Sequence, residues 1–214
     1  MKTELRYGII GAGSMGREHI ENIKVMGGAT VTAISDPHTP SQEAALAMAP
    51  GATVFTDHRA LLESGLVDAV VIATPNDTHA EVLKDVLESD LAVFVEKPLA
   101  TTVEDLKSIL AWDEKRSAMT WMGLEYRFMP PVAEAIARAQ EGEAGKIHQV
   151  SIREHREPFY PKVDNWNRFA ERTGGTLVEK CCHYFNLMDI VVGETPIRVF
   201  ASGGQSVNHL DEKY

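Results

Sequence analysis

Cysteine is nearly absent from this chain: two residues in 214, Cys181 and Cys182, and they are adjacent. That spacing neither closes a useful disulfide loop nor resembles a zinc-ligand pair, so both thiols are expected to be reduced and structural. The eight histidines include no His-x-x-x-His pair, and His155 and His183 lie far apart, so no metal is expected. Long apolar runs are missing too. Residues 1–6 lead straight into a strand-like stretch at 7–10 without the apolar region of a leader, and no run is long enough to span a bilayer; a cytoplasmic location away from membranes is expected. Positive charge is in deficit, 21 Lys and Arg against 31 Asp and Glu for a formal net charge of -10, and no basic run with interleaved aromatics offsets it. Nucleic acid is therefore excluded as an expected partner. No internal repeat or low-complexity segment is visible. What remains, 44% hydrophobic and 24% charged, is the composition of a soluble globular protein with room for one large domain or two small ones.

Glycine is placed rather than scattered. An apolar run over residues 5–10 enters Gly11-Ala12-Gly13-Ser14-Met15-Gly16, and a helical stretch follows to about residue 25. In the G-x-G-x-x-G pattern the first glycine permits a tight turn, the second admits a pyrophosphate to the backbone, and the third lets helix pack on strand. A second strand over 29–35 ends in Asp36, twenty residues after Gly16, the spacing at which an acid accepts hydrogen bonds from an adenosine ribose. Its carboxylate would repel a 2'-phosphate, and no arginine follows in Asp36-Pro37-His38, so NAD is expected in preference to NADP. Strands over 52–55, 67–73, 91–95 and 118–124 alternate with helices over 41–48, 79–88 and 103–115, which predicts a doubly wound parallel α/β sheet. The fourth strand runs into Ala73-Thr74-Pro75-Asn76, a loop suited to lie against the cofactor, with Asp77 or Thr78 capping the next helix. The fifth ends in Glu96-Lys97-Pro98, which puts a lysine at the carboxyl edge of the sheet, where ligands bind. Lys97-Pro98 is a candidate cis peptide.

Taken in order, the glycine loop with His19, the Ala73–Asn76 loop with His79, the Glu96-Lys97-Pro98 triplet and the stretch Gly174-Gly175-Thr176-Leu177-Val178-Glu179-Lys180-Cys181-Cys182-His183 resemble the Gfo/Idh/MocA family over essentially the whole chain. The resemblance implies an N-terminal Rossmann domain, here residues 1–128, and a second α+β domain, 129–214, built on an open, mostly antiparallel sheet that often forms an oligomer interface. A homo-oligomer is expected accordingly. Members oxidise or reduce a carbinol carbon of sugars and cyclitols with NAD or NADP. Residue by residue, Lys97 matches the family's active-site lysine, His183 its catalytic histidine and Glu179 the acid one turn earlier, where many relatives carry aspartate. The implied cofactor contacts are Gly11, Gly13, Ser14, Met15, Gly16, Asp36, Ala73, Thr74, Pro75, Asn76, His79, Glu96 and Lys97. The chemistry expected is hydride transfer coupled to proton transfer, with a polyol or sugar as substrate. Two other readings stay open: an NAD-retaining glycosidase of related fold, and a non-catalytic NAD-binding sensor or subunit.

In the second half, residues 130–140 predict a helix opened by Pro130-Pro131, 145–157 a partly alternating strand, and 198–203 a further strand. A single helix over 176–192 would carry Leu177, Cys181, Tyr184, Phe185, Met188 and Val192 on one apolar stripe, with Glu179, His183 and Asn186 opposite. Four residues apart on that helix, Glu179 would stack on His183 and orient its imidazole, although the pair also suits a plain wet face. Arg127 and Trp166 are candidate substrate contacts, polar fork and ring face for a hydroxylated ring, with Trp166 equally readable as a core anchor. About 85 residues follow the boundary, too few for a complete sheet by ordinary strand and connection lengths, so the chain is either a fragment or carries an unusually small second domain.

Overall fold

Runs of β-branched residues flanked by turns settle the first half. In the computed structural model, which describes residues 4–155 and 160–204, six strands are formed: β1 (Leu5–Ile10), β2 (Ala29–Ser35), β3 (Thr53–Phe55), β4 (Ala69–Ile72), β5 (Ala92–Glu96) and β6 (Thr120–Gly123). They pair in parallel in the order β3-β2-β1-β4-β5-β6. Interleaved with them are α1 (Ser14–Met26), α2 (Thr39–Met48), α3 (His58–Glu63), α4 (His79–Leu87) and α5 (Val103–Asp113). The α3 helix is an addition to the elements expected from sequence; its six residues hold one buried side chain, Leu61, and are capped by Asp57, whose carboxylate accepts from the Arg59 N–H.

The sheet is covered on both sides, as parallel sheets must be. Successive β1 residues point to opposite layers: Ile9 joins Ile20, Ile23 and Ala45 under α1 and α2, whereas Ile10 joins Leu61, Leu83, Val86 and Ile109 under α3, α4 and α5. With strands central and buried, every strand delivers its carboxyl end to one edge. The order reverses between β1 and β4, and the crevice at that switch point is where the glycine loop lies.

Beyond β6 the backbone turns through a short 3₁₀ segment, Glu125–Phe128, into α6 (Pro130–Gln140). A second 3₁₀ segment, Val163–Arg168, precedes three helices, α7 (Ala170–Thr173), α8 (Thr176–Glu179) and α9 (Cys182–Val192). The mostly antiparallel sheet expected for this half is not formed among the described residues, where no strand follows Gly123; residues 146–155 and 194–204 carry no regular structure. A strand is held by a ladder partner rather than by its own propensity, and these segments have none within the described residues.

The single helix expected over 176–192 is also corrected. At Cys181 the backbone N–H bonds to the Thr176 carbonyl five residues back, and the His183 N–H bonds to Lys180 only three residues back. This slip separates α8 from α9 and turns His183 off the face that Glu179 occupies. The expected polarity inverts with it: His183 is 2% exposed, whereas Phe185, placed on the apolar stripe by periodicity, is 53% exposed.

Backbone packs tightly under the glycine loop. A Cβ on Gly16 would sit 2.0 Å from the Gly11 carbonyl oxygen, and Gly11 itself has a φ of +92° with Ala73 backbone 2.6 Å from its own ideal Cβ. Because the obstacles are backbone, no side-chain rotation relieves them. Gly16→Ala is expected to destabilise the fold by about 3 kcal/mol, the upper range for overpacking, read as a lowered urea midpoint at unchanged m-value; an unaltered midpoint would show that α1 can shift outward freely.

Candidate active site

Three loops meet at the carboxyl edge. The first follows β1. Its helix, α1, begins at Gly13 with no side-chain cap, so the N–H groups of its first turn face outward, and nothing lies within 4 Å of an ideal Gly13 Cβ. Helix N-termini of this kind are anion sites. Asp36, at the end of β2, is fixed beside it: one carboxylate oxygen accepts from the Ala12 N–H at 2.7 Å and the other from the His38 N–H at 2.8 Å. Each oxygen retains a lone pair, and the carboxylate cannot swing aside for a phosphate.

The second loop follows β4. Thr78 Oγ1 donates to the Pro75 carbonyl at 2.7 Å and lies 2.8 Å from Thr74 Oγ1, closing the turn. Beneath it, His79 is fully buried, with Nδ1 2.7 Å from the Pro98 carbonyl and Nε2 3.1 Å from the Thr74 carbonyl. Burial pushes this imidazole below its ordinary value although both carbonyls pull upward. A neutral ring has a single N–H; carried on Nδ1, at the shorter contact, it donates to the Pro98 carbonyl and ties the start of α4 to the third loop.

The third loop is Glu96-Lys97-Pro98, whose Lys97–Pro98 peptide is cis. Glu96 is buried, with Oε1 2.7 Å from His19 Nε2, and the His19 ring meets Phe94 edge-on at 5.0 Å. Burial alone would raise the Glu96 carboxyl; the His19 hydrogen bond and the positive charges of His19 and Lys97 outweigh it and hold the group below its usual range. Lys97 extends from this anchor, and its Nζ donates to the Glu179 carbonyl at 3.2 Å.

His183 is near enough to Lys97 for the lysine's charge to act on it. Its ring stacks on Tyr126 with centroids 4.1 Å apart and planes 11° from parallel. Within the described residues its Nδ1 is buried without a hydrogen-bond partner, and its Nε2 is 3.6 Å from Glu125 Oε1, beyond hydrogen-bond reach. Burial, then the charges of Lys97 and Lys180, pull the imidazole down to about 4 from an ordinary 6.5. The carboxylate beside this histidine is therefore that of Glu125; Glu179, expected to orient it, offers its main-chain carbonyl to Lys97 instead.

The sequence reading passed over Lys180 and Glu125. Lys180 is 6% exposed, donates to the Tyr126 hydroxyl, lies 3.4 Å from Glu154 and sits 4.4 Å above the Tyr126 ring. A lysine inside the stretch that closes on His183 was the available signal. Of the two candidate substrate contacts, Arg127 Nε donates to Asn186 Oδ1 at 3.0 Å, linking the segment after β6 to α9, and Trp166 is half-buried directly after Asp164 and Asn165, both left-handed in φ. Residues 160–175 lie over the cofactor loops through three contacts: Arg172 with Asp77 at 2.9 Å, Asn76 Nδ2 with the Thr173 carbonyl at 3.4 Å, and Lys162 Nζ with Ser14 Oγ at 2.5 Å. Among the described residues no group of three His, Cys, Asp or Glu side chains is placed to hold a metal, and no helix is long and apolar enough to cross a membrane.

A parallel sheet in this order, with an uncapped glycine-loop helix and an acid at the end of β2, defines a dinucleotide-binding Rossmann unit. The chain belongs to the Gfo/Idh/MocA family: residues 5–124 match the model described as "Oxidoreductase family, NAD-binding Rossmann fold" and residues 137–213 the model described as "Oxidoreductase family, C-terminal alpha/beta domain". Inositol 2-dehydrogenase of Rhizobium meliloti is 30% identical over 198 residues, covering 92% of this chain and 58% of the relative. Myo-inositol 2-dehydrogenase of Thermotoga maritima is 28% identical over 204 residues, covering 95% and 60%. Among solved structures, myo-inositol dehydrogenase from Lactobacillus casei in complex with NAD(H) and myo-inositol superposes with a TM-score of 0.73 at 25% identity, covering 89% of this chain and 55% of that one. Levoglucosan dehydrogenase in complex with NADH and levoglucosan gives 0.77 at 25% identity over 89% and 55%. The chain thus spans under two thirds of the length of these relatives.

The low His183 value carries a pH signature. Between about pH 4 and 6.5 the unfolded chain binds a proton at this residue and the folded chain does not, so stability falls as pH is lowered through that window and is fully present above 6.5. Urea unfolding of wild type and His183→Asn is expected to differ by about 3 kcal/mol more at pH 7 than at pH 4. A difference independent of pH would mean that the imidazole titrates normally.

Proposed function

We propose that this protein is an NAD-dependent oxidoreductase that transfers a hydride between a carbinol carbon of a sugar or cyclitol and nicotinamide. The observation that carries the reading is that Lys97, beyond β5 at the edge where the glycine loop and Asp36 form a dinucleotide cradle, reaches the Glu179 carbonyl and acts by its charge on His183. The cradle fits the group: crowded where Gly11 and Gly16 must pack, open at Gly13, free N–H groups at the start of α1, and two fixed carboxylate oxygens for ribose hydroxyls. The fixed Asp36 carboxylate supports NAD over NADP by like-charge repulsion. The inositol and levoglucosan enzymes among the relatives support a polyol or sugar as the substrate class.

When bound, NAD supplies the acceptor for the hydride that leaves the carbinol carbon. The chain's own residues handle the proton and the charge. Neutral across the pH range above about 4, His183 has a lone pair available for the hydroxyl proton. Lys97 donates a hydrogen bond to the same oxygen and stabilises negative charge as it develops; its main-chain N–H is held by Glu96 Oε2, and its ammonium by the Glu179 carbonyl. Stacking on Tyr126 fixes the plane of the imidazole in place of a carboxylate. Glu125, whose carboxyl is raised above its ordinary value chiefly by burial, stands 3.6 Å from the ring.

A panel of polyols and aldoses followed at the NADH absorbance should give net NADH with at least one member. Lys97→Ala and His183→Ala are each expected to lower kcat by about a thousandfold, with NADH affinity altered by less than about threefold. A fully active Lys97→Ala protein would refute the assignment, as would release of an aglycone without net NADH, which indicates the glycosidase reading.

A further inference from the structure

Lys162 is an ammonium in search of an anion. It comes from the segment between β6 and α7, yet it ends at the glycine loop, with Nζ 2.5 Å from the hydroxyl of Ser14, the first residue of α1. That contact joins positions 148 residues apart and is the only hydrogen bond of this ammonium among the described residues. A neutral hydroxyl is a weak partner for a half-buried cation, which ordinarily takes a carboxylate or stays in water. Arg17, the cation nearest in sequence, donates instead to the Ala12 carbonyl. Burial, then the charge of Lys97, lower the Lys162 ammonium below its ordinary value and outweigh the opposing pull of the Glu179 and Glu96 carboxylates.

The geometry around it is that of a phosphate site assembled from both halves of the chain. The start of α1 has no side-chain cap and open space at Gly13, Lys162 reaches its first residue, and the segment that carries Lys162 is tied down at its far end by Arg172 to Asp77 and by Asn76 to the Thr173 carbonyl. A chain with a formal net charge of -10 repels a dinucleotide at long range, so a positive charge at the point of contact has particular value here.

We infer that Lys162 binds the diphosphate of the dinucleotide from the side opposite the glycine loop, closing the cradle with a residue from outside the Rossmann unit. The inference rests on the cofactor reading above and adds to it a residue and a direction of approach. A charge-assisted hydrogen bond of this kind has two further consequences: binding the dinucleotide fastens residues 160–175 down, and affinity falls with added salt.

The test is direct binding to the full chain, without turnover, by NADH fluorescence and by calorimetry with ADP-ribose and adenosine. Lys162→Met should weaken NADH and ADP-ribose alike, by roughly ten- to a hundredfold, with adenosine unaffected. It should also flatten the salt dependence, and Lys162→Arg should recover most of the affinity. Unchanged ADP-ribose affinity in Lys162→Met, or equal losses in the Met and Arg variants, would overturn the inference while leaving the cofactor reading intact. No binding of NADH or ADP-ribose by the wild-type chain would overturn the cofactor reading itself. Coincident thermal melts of the variants and wild type establish that the losses are local.

Discussion

The contact between Gly16 and the Gly11 carbonyl is the constraint on which the rest of the structure depends. With no side chain between them, α1 starts directly against the end of β1, and its first N–H groups face the crevice rather than a neighbouring loop. The parallel register does the remainder. Since β1, β4 and β5 run the same way and lie side by side, the glycine loop, the Thr74–Asn76 turn and the Glu96-Lys97-Pro98 turn all emerge at one edge. Buried His79, which follows the second of these, then links it to the third through the Pro98 carbonyl.

Chemistry enters where the second half meets that edge. Lys97 reaches the Glu179 carbonyl, His183 lies on Tyr126, and the stack is flanked by two lysines whose charges, after burial, keep the imidazole neutral. In the proposed reaction the neutral histidine would take the hydroxyl proton while the lysine meets the charge left on oxygen. Lys180 has a different place from Lys97. Its ammonium is taken up by Tyr126 and Glu154, so its influence on His183 is electrostatic and positional.

Much of the first half was legible in the sequence because its signals are local. The strand runs, the glycine spacing and the acid twenty residues on each follow from backbone geometry within a few turns of chain. The short α3 helix was not visible, since six residues with one buried side chain give no periodicity to read. In the second half, periodicity itself misled: a wheel drawn through residues 176–192 assumes an unbroken helix, and the slip at Cys181 moves His183 from the wet face to the interior. Lys97 and His183, the side chains of the proposed chemistry, were singled out by the ordered motifs. Glu125, Lys180 and Lys162 were not, because what gives them meaning is contact across the fold; the Lys162–Ser14 pair, spanning 148 residues, has no counterpart in any local pattern.

The most direct measurement of the central claim, that one dinucleotide is held between the glycine loop and the Lys97–His183 pair, is a crystal structure of the protein soaked with NAD. The account predicts the diphosphate on the N–H groups at Gly13 and Ser14, the adenosine ribose on Asp36, and the nicotinamide ring between Lys97 and His183. A dinucleotide bound elsewhere, or bound with its nicotinamide turned away from both residues, would contradict it.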